Sequence, residues 1–304
     1  MQYDISQSCP NLSNVNLPSL PAVKQLCQKT YAKRRFINQS LLVFAYGAMG
    51  FGLLWLGWIL ITLFGEGLSG LSAQVFSQNT PAPMSMGGLK NAIVGSLMIT
   101  AGGLFIGTPV GIMCGIYLAE FGKKSRLASA TRFMNDVLLS APSIVIGLFI
   151  YALVVVPMGR FSGVAGSLAL SLLVIPVVVR TTENMLNLVP DTLREASFAL
   201  GTPKYKMVGL VTLKSAQAGV MTGVLLSLAR ISGETAPLLF TALNNQFFST
   251  DMTAPMANLP NVIYQFAMSP YDNWQALAWS GALLITLAVL TTNVIARVLN
   301  SKSH

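Results

Sequence analysis

The stretch LLVFAYGAMGFGLLWLGWILITLF, residues 41–64, contains no charged side chain, and it decides the class of the fold. As a helix rising ~1.5 Å per residue it reaches ~36 Å, enough to cross ~30 Å of hydrocarbon. Trp55 and Trp58 approach its far end, where indole rings favour the membrane interface. The run is longer than the roughly 7–15 residues of a signal-sequence core and follows a polar leader, so it reads as a true span.

The rest of the chain repeats the pattern. Hydrophobic residues make up 53% of the 304 residues and charged residues 10%, against about 25% charged in soluble domains. So much apolar sequence needs lipid as its outside. Backbone polar groups in lipid must be satisfied within the segment, which makes the spans helices. The expected fold is therefore an all-α membrane protein with six transmembrane helices. Their ranges are 41–64, about 92–118, 137–156, 163–179, 217–242 and 275–296. Pro142 falls near the start of the third. In the second, Gly107, Gly111 and Gly115 are four apart and share a face that another helix can approach closely.

Charge sets the orientation. The net charge is +9, but the basic residues sit in short clusters beside apolar runs. That is membrane anchoring, and it argues against a nucleic-acid stripe. Lys24, Lys29, Lys33, Arg34 and Arg35 lie in the polar segment 1–40, read as a mobile cytoplasmic tail. Lys123, Lys124, Arg126 and Arg132 lie between spans two and three. Arg180, Arg194, Lys204, Lys206 and Lys214 lie between spans four and five, and Arg297 and Lys302 close the chain. These clusters alternate with loops holding only Lys90 and Arg160, so the positive-inside rule places both termini in the cytoplasm. Glu120, Asp136 and Glu183, near cytoplasmic span ends beside basic residues, are expected to form surface pairs. Arg160 reads as a solvated loop residue.

Covalent chemistry lacks its parts. Cys9, Cys27 and Cys114 show no paired spacing, Cys114 reads as a small buried hydrophobe, and the single histidine is His304. No metal site is expected. No GxxxxGK[ST] occurs, so the chain has no phosphate-cradling loop for nucleotide.

Two features point to function. The first is the polar segment 180–215. Asp191 after Pro190 is expected to cap a helix over TLREASFAL, with Gly201 as its stop. Leu193, Ala196, Ser197 and Leu200 then share a small, apolar face. Thr202 is expected to cap a second short helix with Pro203 at its first position. Such a hairpin at 190–214 needs a partner surface, or the membrane interface, for its apolar face.

The second is GVLLSLARISGETAPLLF, residues 223–240, where Arg230 and Glu234 interrupt the fifth span. An ionised side chain at a helix centre costs about 2.5–3.5 kcal/mol on insertion scales. The i, i+4 spacing on one continuous helix lets the two pair, with Arg first, the poorer orientation for helix stability. The guanidinium fork matches an oxyanion, and Glu234 can hold it when no anion is present. The bland reading is a structural ion pair to a neighbouring helix; the functional one is an anion path. Gly233 and Pro237 bracket the pair and are candidates for a gating flexure or a static bend.

The segment EASFALG, followed by nine residues and V-T-L, resembles the cytoplasmic loop of ABC importer permeases. Glu195, Ala196, Gly201 and Leu213 match that loop; Ser197 replaces an alanine, Val211 an isoleucine, and Lys214 stands where proline is usual. The strings IPVVVRTTENML, REASFALGTPKYKMV and LARISGETAPLLFTAL are similar to phosphate-specific permeases of the PstA type, over roughly residues 90–298. The resemblance implies an ABC importer type I (MetI-like) fold, with a permease core over 90–300 preceded by the first span. It implies a permease for inorganic phosphate forming half of the path, with Arg230 and Glu234 associated with transport. Glu195, Ala196, Ser197, Gly201 and Leu213 would then couple to a separate cytoplasmic ATPase, and Arg180 and Glu183 would position the hairpin. The implied partners are a second homologous permease, an ATP-binding subunit dimer that holds ATP and Mg, a periplasmic phosphate-binding protein and the lipid bilayer. The chain itself would carry no cofactor and would not be an enzyme, and its place would be the bacterial inner membrane. Two rival readings remain: an ion-coupled secondary phosphate transporter, for which Glu234 alone supplies an intramembrane carboxylate, and a membrane scaffold or sensor.

Overall fold

The computed structural model describes the backbone of residues 20–122 and 125–301. Cys9, Cys27, Lys24, Lys29, Lys123, Lys124, Arg297, Lys302 and His304 lie outside the described side chains. The chain divides into two units, Met1–Ile61 and Thr62–His304.

The first unit holds most of helix α1, Leu20–Ser69, which begins well before the expected residue 41. The basic residues Lys33, Arg34 and Arg35 therefore ride on the same helix as the apolar run. Along that run Phe44 is 77% exposed, Trp55 53% and Trp58 67%, as a lipid-facing helix requires.

The second unit is also helical. It comprises α2 (Ala73–Ser77), α3 (Lys90–Ile116), α4 (Arg126–Ser140), α5 (Ser143–Ile150), α6 (Val156–Met158) and α7 (Gly163–Asn187). Then come α8 (Asp191–Ala199), α9 (Lys204–Lys206), α10 (Leu213–Ile231), α11 (Ala236–Thr241), α12 (Leu259–Ala267) and α13 (Asp272–Ser301). Wide π turns extend α3 over Tyr117–Phe121, join α5 to α6 over Tyr151–Val155, and lead into α10 over Met207–Thr212. Among the described residues five helices are long and apolar enough to cross a bilayer; the bent pair Arg126–Ser140 and Ser143–Met158 makes a sixth span if counted as one.

The axis of this unit is the seam between α3 and α7. A Cβ added at Gly103, Gly107, Gly111 or Gly115 would lie 2.8, 2.9, 2.8 or 2.6 Å from the Cβ of Leu170, Val174, Val178 or Thr182. Only hydrogen fits there, so these glycines let the helices touch backbone to side chain. Both series advance by four in the same sense, so α3 and α7 run parallel. The chain between them must therefore come back across the bilayer, which makes the bent pair one crossing. Helix α10 runs antiparallel to α7, with Gly219 against Met185 and Gly223 against Thr181. Ile99, Ile146, Leu170, Val174, Val178, Ile231 and Leu238 form the core these elements share.

Three expected spans differ in detail. The third does not run unbroken over 137–156: the chain bends by 105° between Arg126–Ser140 and Ser143–Met158, at Ala141–Pro142. Proline disfavours the helical region for its predecessor, and Ala141 is extended (φ −67°, ψ 134°). The fourth continues past 179 to Asn187, so Arg180 and Glu183 are helical. The fifth is not one helix over 217–242, because α10 stops at Ile231 and α11 restarts at Ala236. Pro237 has no N–H to offer the carbonyl of Gly233, which removes a helical bond at the break, and it sits in the first turn of α11, where that N–H is not needed. Helix α12 occupies what reads in the sequence as loop. Its N-cap, Asn258, accepts from Asn261 N–H at 3.1 Å, and Pro260 lies in the first turn.

Candidate functional site

Arg230 lies in the last turn of α10 and Glu234 in the break beyond it. The pair forms: Arg230 Nε is 3.9 Å from Glu234 Oε1, with side-chain exposures of 40% and 18%. At that distance it is an ion contact and not a hydrogen bond. Among the described residues Arg230 makes no hydrogen bond, so its five N–H donors are unspent. The continuous helix expected to carry both residues is corrected here: the backbone opens between them, and Glu234 N–H reaches Ile231 O at 3.3 Å. Gly233 is exposed, and a Cβ there would meet nothing within 4 Å. Pro237 is fixed: a Cβ on Gly147 of α5 would fall 2.6 Å from its Cα, and its carbonyl accepts from Thr241 Oγ1 at 2.8 Å. The bend is thus seated against α5 on one side and open at Gly233 on the other.

The hairpin lies at the other end of α10. Helix α8 starts at Asp191, with Pro190 and not Asp191 at the cap position. It stops as glycine dictates. Gly201 has φ +75°, its N–H reaches Phe198 O at 2.9 Å, and Thr202 N–H reaches Ser197 O at 3.2 Å. These two bonds close the last turn on its own carbonyls. Pro203, not Thr202, precedes α9. Glu195 and Ala196 are exposed, as are Leu193, Phe198 and Leu200, the last at 86%. Ser197 departs from the expected face and is buried with Arg194. Leu213 starts α10 and packs with Ala119, Leu186 and Ala216.

Two acids expected at the surface are buried. Glu183, 5% exposed, accepts from Arg132 Nε at 2.7 Å, and Arg132 also donates to Leu118 O at 3.0 Å. Glu120, 7% exposed, is paired with Arg194 at 2.8 Å. The hydrogen bond that Arg194 donates to Glu120 pushes the guanidinium pKa up, against a burial that lowers it.

Known proteins place this arrangement. Residues 107–303 match the model of the binding-protein-dependent transport system inner membrane component family. The phosphate transport system permease protein PstA of Yersinia pestis is 58% identical over 276 residues, covering 90% of this chain and 94% of that one. The chain belongs to this family, as a permease of the PstA type. The same-named protein of Pasteurella multocida is 57% identical over 265 residues, covering 87% of this chain and 95% of that one. A probable phosphate transport system permease PstA of Methanocaldococcus jannaschii is 35% identical, covering 84% and 91%. A solved structure of the MetNI methionine ABC transporter in an inward-facing conformation superposes with TM-score 0.59 at 19% identity, over 70% of this chain and 96% of that one. The permease therefore has the MetI-like fold.

Within the permease, Arg230 and Glu234 are brought together at a helix break. Glu195, Ala196 and Gly201 are grouped on one exposed hairpin, with Ser197 turned inward and Leu213 below it in the core. Arg180 is exposed on α7. Arg194 and Glu120, expected as a loop charge and a surface acid, form a buried pair between α8 and the end of α3. Their one sequence signal is the Asp191–Arg194 spacing of i, i+3.

Proposed function

We propose that this chain is the membrane-spanning permease subunit of an ATP-driven importer of inorganic phosphate, forming half of the path through the bilayer. The observation that carries the reading is the unspent guanidinium of Arg230 at the break between α10 and α11. An isolated arginine within a span is costly to keep there, and its fork suits a phosphate oxygen pair. Glu234, near but not hydrogen-bonded, supplies a partner that an arriving anion can displace, so binding stays weak enough for release. The relatives' names supply the anion.

The energy comes from a separate ATP-binding subunit that holds ATP and Mg. It docks on the exposed face of α8 through Glu195, Ala196, Leu193 and Leu200. A second, homologous permease completes the path, and a soluble phosphate-binding protein delivers the anion on the opposite face. The basic clusters favour an orientation with α8 and both termini on the cytoplasmic side of a bacterial inner membrane. The chain carries no catalysis of its own.

Arg230→Gln tests the path. Phosphate uptake by the assembled importer is expected to fall at least about a hundredfold, consistent with losing charge-assisted hydrogen bonds of ~1.5–3 kcal/mol each, while the complex still assembles. Unchanged uptake with intact assembly would make Arg230 a structural ion.

A further inference from the structure

The π turns that end α3 gather three cations. Leu118 O accepts from Arg132 of α4 at 3.0 Å. Glu120 O accepts from Lys204 Nζ of α9 at 2.9 Å, and that ammonium also lies 4.4 Å from the centre of the Phe121 ring. Glu120 Oε1 accepts from Arg194 of α8 through both Nε and NH2, at 3.1 and 2.8 Å. Wide turns spoil the i→i+4 ladder and a helix C-terminus carries partial negative charge, so this end is a natural seat for cations.

Arg194 is the fullest of these contacts. Its five donors make five bonds. Besides the two to Glu120, NH1 donates to Val189 O at 2.6 Å and to Asp191 Oδ1 at 3.0 Å, and NH2 to Leu186 O at 2.8 Å. One guanidinium thereby ties the start of α8 to the last turn of α7, the linker after it and the end of α3. The helix has two faces: Arg194 and Ser197 turn inward, while Leu193, Ala196 and Leu200 remain exposed.

We propose that Arg194, latched on Glu120, is a positioning residue that makes α8 move as one body with α3 and α7, so that displacement of the hairpin reaches the spans. This rests on the reading of α8 as the element that meets the ATPase. Without the latch, α8 keeps the linkers at 188–190 and 200–203 and its packing on the turn Met207–Thr212, but no guanidinium ties it to α3, and it can tilt under a docked partner without moving α3. The tight α3–α7 seam then carries the displacement inward, because close-packed helices transmit strain.

The test uses Arg194→Lys in the complete importer, reconstituted in vesicles with its ATPase, companion permease and binding protein. Lysine keeps the charge but offers three donors from a single nitrogen, so it cannot reach Glu120, Leu186 O and Val189 O at once. Three quantities are read: retention of the ATPase, labelled phosphate moved per ATP hydrolysed, and amide hydrogen exchange across 191–199. The expected result is a retained ATPase, faster exchange in α8 but not in 163–187, and about a tenfold drop in phosphate per ATP, the size of effect that losing one charge-assisted hydrogen bond gives. Unchanged exchange overturns the latch. Faster exchange with an unchanged ratio overturns its role in transmission. Loss of the ATPase overturns it too, since Arg194 would then hold the docking face itself. A second pair, Glu120→Cys with Arg194→Cys in a background lacking the native cysteines, is expected to recover the ratio when bridged by a short dithiol-reactive linker and to lose it when unbridged; no recovery counts against the latch. A wild-type importer that hydrolyses ATP yet moves no phosphate refutes the phosphate reading instead.

Discussion

Gly111→Val attacks the seam between α3 and α7 at its centre. The first atom added at Gly111 falls 2.8 Å from Val178 Cβ and 2.9 Å from its Cγ1, against a comfortable carbon–carbon separation of about 3.5–4.0 Å. The helices must part by roughly 1 Å. Parting at Gly111 also unpacks Gly107 from Val174 and Gly115 from Thr182, because all three contacts lie along one straight face. Overpacking of this kind costs about 1–3 kcal/mol, and the second methyl of valine puts the change toward the upper end. A gain of a few tenths of a kcal/mol from replacing glycine within a helix does not offset that. By the soluble-protein scale, the melting temperature of the purified permease in detergent is expected to drop by roughly 5–10 °C. Gly57→Ala, where an added Cβ meets nothing within 4 Å, is the control and is expected to be neutral or slightly stabilising. Adding Gly107→Ala to Gly111→Val is expected to cost less than Gly107→Ala alone, by more than ~0.5 kcal/mol, since the gap is already open. A Gly111→Val protein that melts within a degree of wild type, or two costs that simply add, refutes the account of the seam.

Two further predictions concern what lies at the ends of the spans. Glu195→Lys reverses an exposed charge on α8 without touching the Arg194 latch; the ATPase is expected to co-purify at least about tenfold less, the effect of ~1.4 kcal/mol lost across an interface, with the permease still folded. Unchanged co-purification would remove Glu195 from the docking surface. A topology reporter fused after Gln78, between α2 and α3, is expected to read outside the cytoplasm, and a cytoplasmic signal there would invert the orientation drawn from the basic clusters.

What was legible in the sequence was whatever depends on period and composition. The uncharged runs located the spans, and the four-residue spacing of Gly107, Gly111 and Gly115 announced a close helix contact that the structure places on Val174, Val178 and Thr182. Gly201 was readable as a stop because a left-handed residue at a helix end has few substitutes. The breaks were less legible. Pro142 and Pro237 were visible, but proline in a span is compatible with a kink, a restart or a first turn. The sequence does not say which, because the choice depends on neighbours such as Gly147, which admits Pro237 against α5. Helix α12 was hidden by its own caps, since Asn258 and Pro260 read as loop residues until the run behind them is seen to bury Val262 and Phe266.

The buried acids show a deeper limit. Glu120 and Glu183 stand beside basic residues in the sequence, and for exposed pairs that proximity is worth little. Their true partners are 74 and 51 positions away, Arg194 and Arg132. Neighbour counting cannot find such pairs, but the backbone explains why they exist. Where α3 widens into π turns its last carbonyls lose their helical donors, and a buried carbonyl without a donor is expensive. Cations from α4, α8 and α9 satisfy Leu118 O, Glu120 O and the Glu120 carboxylate together. A guanidinium drawn so far out of water must in turn be fully bonded, and Arg194 is. The irregular end of one span and the order of the hairpin are therefore one structural requirement, met by residues that only the fold brings together.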